Sequence, residues 1–93
     1  MHDLESLLAK VVTIRSIHGD EYVAKLLGVD AKNNVITVAE PKVVIINNTG
    51  EVTLLPFAIT ADTSTVTLST QNIFSVLQTF AETAEEYTSI VEG

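Results

Sequence analysis

The chain has 93 residues and a mass of 10.0 kDa, room for one small domain over residues 1–93 and no linker. It has no cysteine, which excludes disulfides and thiolate-based metal or redox sites, and no apolar run approaches the ~18 residues of a membrane span. The composition is 46% hydrophobic and 18% charged, with a mean hydropathy of +0.34, against about 25% charged in a typical soluble domain. That apolar surplus in a small, surface-rich domain points to burial between subunits.

Net charge is −7, unevenly placed. All five basic residues, Lys10, Arg15, Lys25, Lys32 and Lys42, share the first 42 positions with six acids, and the rest of the chain holds six acids and no Lys or Arg. A backbone-gripping nucleic-acid protein carries a basic stripe. Contact with nucleic acid here has to come from the first half, from neutral groups, or from lysines multiplied by symmetry. The start, Met1-His2-Asp3-Leu4-Glu5, lacks the basic and apolar regions of a secretion signal, so a cytoplasmic location without membrane contact is expected.

In chain order, Asp3 is placed to cap a short helix over residues 3–10, with Leu4, Leu7 and Leu8 on one stripe. Residues 11–77 carry strand character. Val11–Ile17 is β-branched and ends at the turn residues His18-Gly19-Asp20, and Glu21–Val29 follows, with Gly28 marking a bend or a close backbone approach. Asp30–Asn34 is a polar turn, Val35–Val38 resumes the sheet, and Pro41 marks an irregularity or an edge. Val43–Ile46 and Glu51–Leu55 flank the turn residues Asn47-Asn48-Thr49-Gly50. Pro56 stops that strand or places it on an edge, Ala61–Ser64 is a loop, Thr65–Thr70 a strand, Gln71-Asn72 a tight turn and Ile73–Leu77 a last strand. Phe80, Ala84, Tyr87 and Val91 recur at helical spacing, which predicts an amphipathic helix over 79–92 docked on the sheet. Short twisted strands with alternating apolar residues bury one face by curling into a small barrel.

The pattern Val12-x-Ile14-x-x-x-x-Gly19-x-x-Tyr22-x-Ala24-x-Leu26-x-Gly28-Val29-Asp30-x-x-x-Asn34-x-x-x-Val38 resembles the first motif of the Sm and Sm-like (LSm) proteins. Thr67-Leu68-Ser69-Thr70-Gln71-Asn72-Ile73 is similar to the second motif, usually apolar-Arg-Gly-x-Asn-apolar, with Ser69-Thr70 in place of Arg-Gly. With the N-terminal helix, the likeness covers residues 4–77. It implies a mostly β, SH3-like open barrel of five strongly bent strands with an N-terminal helix, to which this chain adds a C-terminal helix. It also implies a homo-oligomeric ring in which the last strand, Ile73–Leu77, pairs with the fourth strand of a neighbour. The departures from the second motif suggest a specialised or virus-borne member rather than a core splicing component.

In the family the loops matching Asp30–Asn34 and Ser69–Asn72 face the pore and bind uridine-rich single-stranded RNA. Carried over by position, Asn34 would read a base edge, Asp30 would hold that Asn, Asn72 would shape the second loop, and Lys32 stands at the stacking position. Lys32 offers a charge for phosphate but no plane, and a stacked base contributes ~1–3 kcal/mol, so the resemblance implies weakened RNA binding. Two plainer readings stay open. Asp30 and Asn34 also suit simple turn closure through side-chain to backbone bonds, and a ring without RNA would engage protein partners through its acidic half or C-terminal helix.

His18 reads as an exposed turn residue, and neither Asp20-Glu21 nor Glu82/Glu85/Glu86 has the spacing of a cation-binding loop. The Thr/Ser run Thr60–Thr70 lacks a nucleophile motif, and no glycine-rich phosphate loop occurs. An enzyme, a bound metal and a cofactor are not expected.

Overall fold

A computed structural model describes residues 4–93. Apolar alternation sets its inner face. Val12 and Ile14 of β1 (Val11–Ser16), Ala24 and Leu26 of β2 (Glu21–Asp30), and Ile36 and Val38 of β3 (Val35–Ile46) point to one side and are buried, and Ile73 and Leu4 close the cluster. β4 (Val52–Pro56), β5 (Val66–Ser69) and β6 (Ile73–Gln78) complete an antiparallel sheet in the order β4-β3-β2-β1-β6, with β5 paired to β3.

The structure has six strands where five were expected. β3 is continuous over 12 residues, joining two segments that the sequence divides at Pro41. β5 pairs with Val35–Val38 of β3 and β4 with Lys42–Ile46. Residues 39–41 therefore have no strand partner in β4 or β5, Glu40 N–H bonding Thr63 C=O at 3.0 Å instead, and a proline's missing N–H costs no ladder bond to those strands. On the other side the β2–β3 register shifts between Val23 and Lys25, and Glu40 adopts a φ of 47° before the buried Pro41. The irregularity expected at Pro41 is thus a bulge inside a strand. A second shift falls between Leu26 and Gly28. A Cβ on Gly28 would meet Thr37 at an ordinary 3.9 Å, so that glycine accompanies a bend rather than a close approach.

Both flanking helices differ from expectation. In place of a helix over 3–10 there is a 3-10 helix at Leu4–Leu7; the Asp3 cap lies outside the described residues. Ala9 turns to a φ of 67°, and Ala9 N–H and Lys10 C=O then bond the backbone of Leu26, drawing the chain into the sheet. The C-terminal helix, α1, is Ala81–Glu92 rather than 79–92. Thr79 is buried before it, its hydroxyl 2.9 Å from that of Thr13, which ties the β6–α1 link to β1.

Of the predicted stripe of α1 only Tyr87 is fully buried, and Ala84 is half-buried. Tyr87 is 3% exposed, whereas Phe80 is 85% exposed and Val91 is also outside. The Tyr87 hydroxyl donates to Ala39 C=O at 2.7 Å and accepts from Lys25 N–H at 3.2 Å. Lys25 and Ala39 are register partners beside the bulge. The phenol thus bridges two backbone groups of the interrupted ladder, satisfying a donor and an acceptor that burial would otherwise penalise.

Candidate nucleic-acid interface

The loops expected to cooperate meet at Asn34. Its φ of 57° lies in the left-handed region that Asn tolerates, and its carbonyl accepts from Thr70 N–H at 2.8 Å and from the Thr70 hydroxyl at 3.1 Å. With Val35 paired to Ser69, the 30–34 turn and the start of the 3-10 helix Thr70–Asn72 form one unit. Asp30, Asn34 and Thr70 line a recess of about 150 Å³ together with the apolar Leu4 and Val29.

The motif's Arg-Gly is replaced by residues with other work. The Ser69 hydroxyl accepts from Gln71 N–H and caps the 3-10 helix. Thr70 supplies both donors to Asn34. This locks the two loops together without providing a plane for a base.

Asp30 engages Asn33 rather than Asn34. Its carboxylate accepts the Asn33 side-chain amide at 2.7 Å and the Asn33 backbone N–H at 3.1 Å. These bonds, side chain first, hold the exposed carboxyl below its ordinary pKa. Asp30 is therefore an anion beside the recess at neutral pH. Among the described residues no hydrogen bond engages the Asn34 side chain, which is exposed, as is Lys32.

Asn72 stands apart from the other three. Its carbonyl accepts from Ile17 N–H, and it lines a separate cavity with the β1–β2 hairpin. Sequence reasoning missed Asn33 and Thr70. The Asp-x-x-Asn spacing of an Asx-type turn was the available signal for the first; Thr70 is remote in sequence and its role is set by strand pairing.

Among the described residues no group of three or more His, Asp or Glu could hold a metal ion, and no helix is long and apolar enough to cross a membrane. No family model matches the chain, and no curated protein matches it. Among solved structures it is similar to a novel Sm-like archaeal protein from Pyrobaculum aerophilum, at a TM-score of 0.56 and 22% identity over 98% of this chain. The match covers 63% of that protein, so the chain spans less than two thirds of its neighbour's length. The likeness establishes the Sm-like fold.

Proposed function

We propose that the protein assembles into a homo-oligomeric ring and binds single-stranded RNA weakly where its two loops meet. The joint at Asn34 carries the reading. Loops 36 residues apart in sequence are fixed together by two bonds to one carbonyl, leaving the side chain of Asn34, a recess-lining residue, exposed, with Lys32 exposed on the same turn. Asn34 presents donors and an acceptor suited to a base edge, and Lys32, repeated around a ring, attracts backbone phosphate. Asn72 acts as a support of the second loop and not as a direct contact.

Self-association is supported by the two ends of the strand order. β4 and β6 each pair with a single strand and leave an outer edge open. Exposed apolar side chains stand on both, Phe74 and Leu77 on β6 and Val52 and Leu55 on β4. Edge-to-edge pairing is head-to-tail and closes when its rotation permits. A ring serving protein partners alone is the second reading, favoured by the ionised Asp30 and the absence of a stacking plane at positions 32 and 69.

The test is binding of oligo-uridine and oligo-adenosine across a salt series. RNA contact predicts measurable low-salt affinity that declines with salt and falls with Lys32→Ala and with Asn34→Gly, a replacement that keeps the left-handed backbone. Absent low-salt binding, or binding unchanged by both substitutions, refutes the RNA reading and leaves the protein-partner ring.

A further inference from the structure

The geometry points to the cavity behind the 3-10 helix Thr70–Asn72 as a receptor for one arginine side chain of a protein partner. The site lies within a single chain and is independent of the ring and RNA readings. It measures about 230 Å³, below the roughly 300–1,000 Å³ of sites that enclose drug-sized ligands, so it suits a single side chain.

Its chemistry is that of a cation site. Ile14, Leu68 and Ile73 give an apolar floor, and Tyr22 and Phe57 form a corner of two rings with centroids 5.3 Å apart and planes at 66°. Aromatic faces attract a cation, and a guanidinium also stacks flat on them. Asp20 stands at the mouth. It accepts from the Tyr22 hydroxyl at 3.4 Å, long for an O–H···O bond, so its carboxylate retains capacity for a stronger donor. No Lys or Arg lines the cavity; Arg15, next in sequence to Ile14, lines a different recess with Glu21.

The backbone that carries the Asp20 carboxylate is fixed before a ligand arrives. Ser16 Oγ accepts from both His18 N–H and Asp20 N–H, Ser16 N–H donates to Asp20 C=O, and Gly19 closes the tip at a φ of 94°. A preset loop lowers the ordering cost of binding. Arginine suits this arrangement better than its rivals. A lysine ammonium has no plane to lay on the ring corner, and a nucleotide would bring phosphate to a cavity lined by the Asp20 carboxylate and, besides the His18 imidazole, no basic side chain, on a chain of net charge −7.

The experiment is an amide NMR titration of the intact chain with an acetylated, amidated Gly-Arg-Gly-Arg-Gly peptide, repeated with citrulline for both arginines. The expected result is saturable shifts centred on His18–Tyr22 and Asn72, with the citrulline peptide and the Asp20→Asn variant each binding at least about tenfold more weakly. Asp20 is exposed and its structural bonds are made by its backbone, so Asp20→Asn keeps the fold, which its unperturbed spectrum checks. Equal binding of the citrulline peptide, full affinity in Asp20→Asn, absence of shifts at millimolar peptide, or preferential shifts of these amides by oligo-uridine or oligo-adenosine would each overturn the assignment.

Discussion

Replacing Tyr87 by Phe keeps the buried ring and removes only the hydroxyl that bridges Lys25 N–H and Ala39 C=O. Both backbone groups then lose their partner in a part-buried setting. A net hydrogen bond is worth about 1 kcal/mol and an orphaned buried group costs about 1–3 kcal/mol, and partial access to water favours the lower end. The expected loss is about 2–3 kcal/mol out of a total of roughly 5–15 kcal/mol. For a domain this size that lowers Tm by roughly 8–24 °C. Urea melts followed by circular dichroism, at one fixed protein concentration because any self-association would make apparent stability concentration-dependent, should show a lower midpoint with unchanged slope. Amide exchange at Lys25 should accelerate beyond the global change. Tyr87→Ala, which also empties the ring's place, should cost about 3–5 kcal/mol. An unchanged midpoint in Tyr87→Phe, or undisturbed protection of Lys25, would show that the hydroxyl does not hold the interrupted ladder.

Three further outcomes are expected. Burial is the largest cause that raises both phenol pKa values above 10.0, joined by Asp20 for Tyr22; for Tyr87 it outweighs the opposing Lys25 N–H bond, with Glu40 adding to the rise. The unfolded chain therefore releases these protons first, so the stabilisation is intact below pH ~10 and is lost as pH rises through the raised values; alkaline urea melts should show this slope, and Tyr22→Phe with Tyr87→Phe should flatten it. Asn33→Ala should move the Asp30 titration, followed by carboxyl NMR, upward toward the ordinary 3.8, because the Asn33 side chain is the largest cause of its depression. Above the ordinary value Asp30 holds the turn fully, and that hold is lost as pH falls through the lowered pKa. Phe74→Lys, at a position 75% exposed on the β6 edge, should shift native mass from assembly to single protomers with no loss of protomer stability, since a charge on an open edge blocks pairing; an unchanged mass would exclude that edge from the interface.

The inner face was legible because β1 to β3 alternate with period two, and Val12, Ile14, Leu26, Ile36 and Val38 are all buried. The turn residues at Gly19, Asn34 and Gly50 all adopt the positive φ for which such residues are chosen. What escaped depended on distant partners. Pro41 signals an interruption, but only the separate pairing of β4 and β5 with the two ends of β3 shows that the strand continues through it. The Phe80/Ala84/Tyr87/Val91 period gives a helix, yet the spacing contains nothing to say that Tyr87 alone of the stripe is fully buried and that its hydroxyl bonds the sheet backbone. At the loops, Asp30 and Asn34 stood out by type and spacing, whereas the choice of Asn33 as the amide bound to Asp30 is decided by turn geometry, and the separation of Asn72 by the course of the 3-10 helix.

β3 serves three neighbours, β2 along one side and β4 and β5 on the two ends of the other. Its melting would release all of them together, which makes it the spine of the slowest-exchanging cooperative unit, with β1 attached through β2. The β3–β4 tip at Asn47–Glu51 has only its own turn bonds and exposed side chains, so it can open without disturbing that spine. Amide exchange should therefore divide the sheet into a fast distal hairpin and a slow remainder, so that an end of the open β4 edge can deform while the half of β3 bearing the Asn34 joint stays rigid.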